Sequence, residues 1–131
     1  MNKIAKRIKK NLHKATNVLV FGGGWGILED ILSIYDTVFV VADTHPEIYK
    51  KNLVYRKSDD NLSALPKIGI IFFDRDQVGK FKKIIPLITS ARPQIAIEGE
   101  EVIPRSQSGL LYQNHYVARG QFGFFHAWES L

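Results

Sequence analysis

Cysteine is absent from the 131 residues. That excludes a disulfide framework, a thiolate metal site and a cysteine nucleophile, and it fits a reducing compartment. Long apolar runs are absent too: no stretch approaches the ~18 consecutive apolar residues of a membrane-spanning helix. There is no internal repeat, low-complexity tract or linker-like stretch, so residues 1–131 read as one domain. His45, His115 and His126 are scattered without metal-ligand spacing, and no serine–histidine–acid arrangement can be assembled.

What is present has the balance of an ordinary globular domain, with 45% hydrophobic and 24% charged residues. The formal net charge is +5, but the excess sits in one place: residues 1–14, MNKIAKRIKKNLHK, carry six lysines and arginines and no acid, and the remainder has a net charge of −1. Ile4, Ile8 and Leu12 recur every four residues, which predicts an amphipathic helix with a lysine-rich outer side. Such a face is ordinarily a solvated one; its other use is attraction to nucleic-acid phosphates or an anionic membrane surface. The segment does not read as a signal peptide, because the following VLVFGGGWGIL is broken by glycines and runs into Glu29 and Asp30 without a cleavage site. A cytoplasmic location is expected.

Apolar runs then alternate with helical spacing. Asn17–Phe21, Thr37–Ala42, Leu53–Arg56, Ile68–Phe73 and Gln94–Ile97 read as strands, and the β-branched run TVFVVA suits a strand covered on both faces. Ile27–Tyr35 and Val78–Ile88 read as helices. Residues 110–118 and 121–128 are aromatic-rich runs separated by Arg119-Gly120, which predicts an antiparallel hairpin turning there. The expected fold is α/β: a mostly parallel Rossmann-like sheet with helices on both faces and a C-terminal antiparallel hairpin.

The first strand runs into FGGGWG, with Gly22, Gly23, Gly24 and Gly26 around Trp25. Glycine permits φ > 0 and close approach of a ligand to the backbone. Between a strand and a helix it exposes free N–H groups to a polar ligand, so this loop is a candidate nucleotide cradle; a tight turn packed for steric reasons is the plainer reading. Asp43 ends the second apolar run, where an acid can accept hydrogen bonds from both ribose hydroxyls, although a loop-capping aspartate would look the same. SDDN, with Asp59, Asp60 and Asn61, follows the third run and offers groups for an adenine amine; as a bare pair, Asp59-Asp60 also fits a solvated loop. A nicotinamide fingerprint fits less well, because GxGxxG places Ile27 or Glu29 where a small residue is needed.

With these residues in chain order, the sequence resembles class I S-adenosylmethionine-dependent methyltransferases along nearly its whole length. VLVFGGGWG is similar to their GxGxG motif, Asp43 to the ribose-holding acid, SDDNL to the adenine-contacting segment, and IIFFDRD, with Asp74, to the motif that faces methyl donor and acceptor. The resemblance implies S-adenosylmethionine as cofactor, methyl transfer to an unidentified acceptor, and Asp74 as the residue that orients the acceptor or takes its proton. Val20 stands where the family usually carries an acid, and the chain has little room for substrate-pocket insertions. Those departures favour the alternative of a catalytically inactive methyltransferase-like domain that binds a nucleotide, a protein partner or nucleic acid.

Asp74, Asp76, Glu98, Glu100 and Glu101 follow two adjacent predicted strands, where such acids can bind magnesium or include a general base; solvated loop acids are expected rather than a metal site, and Asp74, directly at its strand end, is the better functional candidate. His126 shares a face with Phe122, Phe124 and Trp128, so a core or interface histidine is expected. The aromatic hairpin is a possible homodimer surface.

Overall fold

The computed structural model describes residues 17–22, 28–57, 65–74, 77, 79–99, 109–122 and 125–131. The expected basic helix of residues 1–14 lies outside this set. Strands β1 (Asn17–Phe21), β2 (Thr37–Val41), β3 (Leu53–Arg56), β4 (Ile70–Asp74), β5 (Ile95–Gly99), β6 (Tyr116–Phe122) and β7 (Phe125–Ser130) form one sheet in the order β3-β2-β1-β4-β5-β7-β6. β1 to β5 are mutually parallel, while β7 is antiparallel to both β5 and β6. A dinucleotide-binding sheet continues in parallel past its fifth strand; here a reversed strand is inserted instead.

The continuous apolar runs are explained by burial on both faces. Alternate residues Val18, Val20, Val38, Val40, Ile70 and Phe72 pack with Leu28 and Ile31 of helix α1 (Leu28–Ile34). The intervening Leu19, Phe21, Ile71 and Phe73 pack with Phe81, Ile84 and Ile88 on the other face. Side chains that point to opposite faces in turn must all be apolar when both faces are covered. Asn52, just before β3, donates from Nδ2 to the carbonyls of Leu32 (2.7 Å) and Tyr35 (2.9 Å) and so satisfies free acceptors at the end of α1.

Two expectations need correction. Among the described residues of the predicted Val78–Ile88 helix, helical structure begins only with α2 (Ile84–Pro86), which passes into a π-helical turn, Leu87–Ala91. Pro86 has no N–H to give a preceding turn, so it sits in the opening turn of a helix rather than in the middle of one. The C-terminal hairpin exists, but Arg119-Gly120 is not its turn. Gly120 pairs with Ala127 and Arg119 is skipped in the register, so the glycine marks a bulge inside β6, and the strands pair up to Phe122 and Phe125. The start of the predicted first hairpin strand is instead helix α3 (Gly109–Gln113), closed by Asn114, whose Nδ2 donates to the Leu110 carbonyl at 2.8 Å.

Candidate functional site

β1 and β2 run in register, Phe21 beside Val41, so the chain leaves the sheet at Gly22 and Ala42 on adjacent strands. Gly22 has φ +87°, and its N–H donates to the Val41 carbonyl at 2.7 Å. Any other residue would be strained at that φ, and a Cβ would run into the side-chain amide of Gln77. The Gln77 Oε1 in turn accepts the backbone N–H of Asp74 at 2.9 Å, which ties the end of β4 to the end of β1. Gly23, Gly24, Trp25, Gly26, Asp59, Asp60 and Asn61 lie outside the described residues.

Beside this turn opens a crevice of about 590 Å³, lined by Gly22, Leu28, Ala42, Asp43, Lys80 and Phe81 among others. Its volume falls within the ~300–1,000 Å³ of small-ligand sites. Asp43 stands at its mouth with Oδ2 2.7 Å from Lys80 Nζ. Both side chains are more than half exposed, so water screens the pair and a ligand hydroxyl can compete for the carboxylate. Beyond Asp43 the crevice is lined by the loop Thr44–Ile48, of which His45 is held by aromatic neighbours. His45 stacks on Tyr49, with centroids 4.9 Å apart at 12°, and meets Tyr55 at a tilt. The Tyr55 hydroxyl donates to the Ala42 carbonyl at 3.0 Å, which pins the end of β2. Lys80 and His45 carried no sequence signal: each becomes part of the crevice only when the sheet brings its loop to the ends of β1 and β2.

Asp74 closes β4, half-buried and in register with Gly99. Glu98 departs from expectation: it lies within β5 and is 1% exposed, not in a solvated loop. Asp76, Glu100 and Glu101 lie outside the described residues, among which no group of three or more histidines and acids is placed to hold a metal. No helix among the described residues is long and apolar enough to cross a membrane.

No protein-family profile matches the sequence, and no curated protein is significantly similar to it. Solved structures do match its fold. The 1,6-didemethyltoxoflavin-N1-methyltransferase of Burkholderia thailandensis, with bound 1,6-didemethyltoxoflavin and S-adenosylhomocysteine, superposes with a TM-score of 0.64 at 13% identity, over 97% of this chain and 76% of that one. The ribosomal protein L11 methylase of Lactobacillus delbrueckii subsp. bulgaricus gives 0.58 at 15% identity, over 98% and 78%. A protein of the NADB-Rossmann superfamily from Streptococcus agalactiae gives 0.53 at 10% identity, over 98% and 67%. The chain therefore shares a Rossmann-like fold with these methyltransferases, and its own sheet ends in an antiparallel hairpin.

Proposed function

We propose that this chain is an S-adenosylmethionine-dependent methyltransferase that holds its methyl donor in the crevice at the ends of β1 and β2. One observation carries the reading: the Gly22 N–H bonded to the Val41 carbonyl at 2.7 Å, which sets the glycine turn against the end of β2, two residues before Asp43. The crevice fits an adenosine by its chemistry. Leu28, Ala42 and Phe81 supply apolar wall, and the exposed Asp43 carboxylate supplies acceptors for two vicinal hydroxyls. Similar folds accommodate such a molecule, since the Burkholderia enzyme carries S-adenosylhomocysteine.

In this reading Asp43 binds the ribose. Gly22, Gly23, Gly24, Trp25 and Gly26 wrap the amino-acid end, and Asp59, Asp60 or Asn61 meets the adenine. When bound, the donor supplies an already activated methyl group. The protein's part is placement, which by itself accounts for a large share of the acceleration of a two-reactant displacement. Asp74, at the end of β4, orients the acceptor.

Isothermal titration of the purified chain with S-adenosylhomocysteine tests the proposal. Micromolar, one-to-one binding is expected; absence of heat up to millimolar ligand defeats it. Transfer from tritiated S-adenosylmethionine then separates an enzyme from an inactive domain that only binds.

A further inference from the structure

The ion pair at the mouth of the crevice spans three strands. Among the described residues that line the crevice, Glu29, Asp43 and Glu47 are acids and Lys80 alone is a lysine or arginine. Lys80 lies in the segment that follows β4, and Asp43 follows β2; these strands flank β1 on opposite sides. Neighbouring strands are ~4.8 Å apart, so the Lys80 side chain reaches over the end of β1 to come within 2.7 Å of the Asp43 carboxylate. The pair thereby joins the ribose side of the site to the side where β4 ends in Asp74.

The base of Lys80 is fixed and its tip is not. The backbone N–H groups of Lys80 and Phe81 both donate to the Gln77 carbonyl, at 3.0 and 2.8 Å. Gln77 is itself tied to the N–H of Asp74, and Phe81 is buried against Phe21, with ring centroids 5.3 Å apart. Beyond this anchor the Lys80 side chain is more than half exposed, so its pairing with Asp43 is weak and exchangeable. Nζ also stands over the Phe81 ring, 5.4 Å from its centroid. That attraction does not depend on Asp43 and holds the ammonium at the crevice when the carboxylate is taken by another partner.

We propose that Lys80 binds an anionic group of the methyl acceptor, a carboxylate or phosphate, and that the Asp43–Lys80 pair couples acceptor binding to donor binding; this rests on the methyltransferase reading above. When ribose hydroxyls occupy Asp43, the ammonium loses its counter-ion but stays over Phe81, beside the strand end assigned to the acceptor. A carboxylate or phosphate replaces the lost partner and accepts from its N–H donors. A neutral acceptor gains nothing there and a cationic one is repelled. The coupling follows from linkage. Each ligand has to break the same ion pair, so the first to bind bears that cost and the second is spared it. Donor and acceptor therefore tighten each other by one common factor, about two- to fivefold for a pair this exposed.

The test uses the full chain labelled with nitrogen-15, with benzoate and phenyl phosphate as probes and benzamide as their neutral match, all at constant ionic strength. Binding is read from the backbone amide signals of Lys80 and Phe81. Benzoate or phenyl phosphate is expected to bind in the millimolar range, and benzamide at least about fivefold more weakly, because it lacks the charge that the ammonium recognises. The tighter of the two anions identifies the acceptor's group. Saturating S-adenosylhomocysteine should tighten that anion about two- to fivefold. Calorimetry should show the anion tightening S-adenosylhomocysteine by the same factor. Lys80→Met should remove both the preference for the anion and the coupling, while Lys80→Arg keeps both. Benzamide binding as well as the anions, S-adenosylhomocysteine leaving the anion's affinity unchanged or weaker, or Lys80→Met retaining both effects overturns the proposal. An unchanged affinity would show that Glu29 or Glu47 takes the released ammonium instead. Failure of the wild-type chain to bind S-adenosylhomocysteine at all overturns the underlying methyltransferase reading. It is distinguishable, because the preference for the anion is measured without that ligand.

Discussion

The backbone N–H of Gly22 donates to the carbonyl of Val41 at 2.7 Å, two residues before Asp43. This bond brings a turn with positive φ and an acidic strand end to one crevice. Gly22→Val is expected to disturb both. A β-branched residue at φ +87° is strained, and its Cβ must displace the Gln77 amide that holds the Asp74 N–H. A loss of about 1–3 kcal/mol of stability follows from the backbone alone. Urea unfolding reads it, and S-adenosylhomocysteine affinity should drop at least tenfold at a temperature where the variant remains folded.

Asp43 and Lys80 give a pair of opposite predictions. Asp43→Ala removes the proposed ribose acceptor and should weaken S-adenosylhomocysteine binding by about 1.5–3 kcal/mol, the range of a charge-assisted hydrogen bond. Lys80→Met removes the competitor for the carboxylate. Because the ion pair is exposed, stability should change by less than about 1 kcal/mol, while affinity should rise up to about fivefold. Calorimetry of both variants checks the signs; equal weakening by both would show that Lys80 helps to hold the ligand.

Tyr35 makes stability sensitive to alkali. Burial raises its pKa from 10.0 to about 12, and its hydroxyl has no hydrogen-bond partner among the described residues. The folded protein thus favours the neutral phenol more than the unfolded chain does. The associated stability is fully present below pH 10 and is lost as pH rises toward 12. Its magnitude is on the order of 2–3 kcal/mol. Tyr35→Phe should flatten urea stability over that interval, and should leave neutral-pH stability equal or slightly higher because a buried hydroxyl is removed.

Asn52 is a structural control remote from the proposed chemistry. Its amide reaches the carbonyls of both Leu32 and Tyr35. Asn52→Ala leaves these part-buried acceptors without that donor and should cost about 1–3 kcal/mol. Thermal unfolding should show the loss, while the S-adenosylhomocysteine affinity of the folded fraction remains unchanged.

Much of this protein was legible in one dimension. Thr37–Val41 and Ile70–Asp74 are strands because β-branched and aromatic side chains fill both faces of a covered sheet, a demand that the sequence states openly. The glycine after β1 and the acid after β2 were equally visible, since a positive φ and a carboxylate at a strand end are local properties. The hairpin turn was misplaced because a glycine within a strand and a glycine in a turn look alike until the partner's register is known: Gly120 opposite Ala127 is a bulge. Glu98 was misread for the same reason. Five residues of β5 could not reveal that a reversed strand would pair along its edge and set His126 opposite Glu98. Lys80 meets Asp43, and Gln77 meets Gly22, only because parallel strands gather their carboxyl ends along one edge. Local chemistry thus determined the parallel strands and half of the crevice. Pairing across the sheet, which no short stretch encodes, decided what stands opposite each of them.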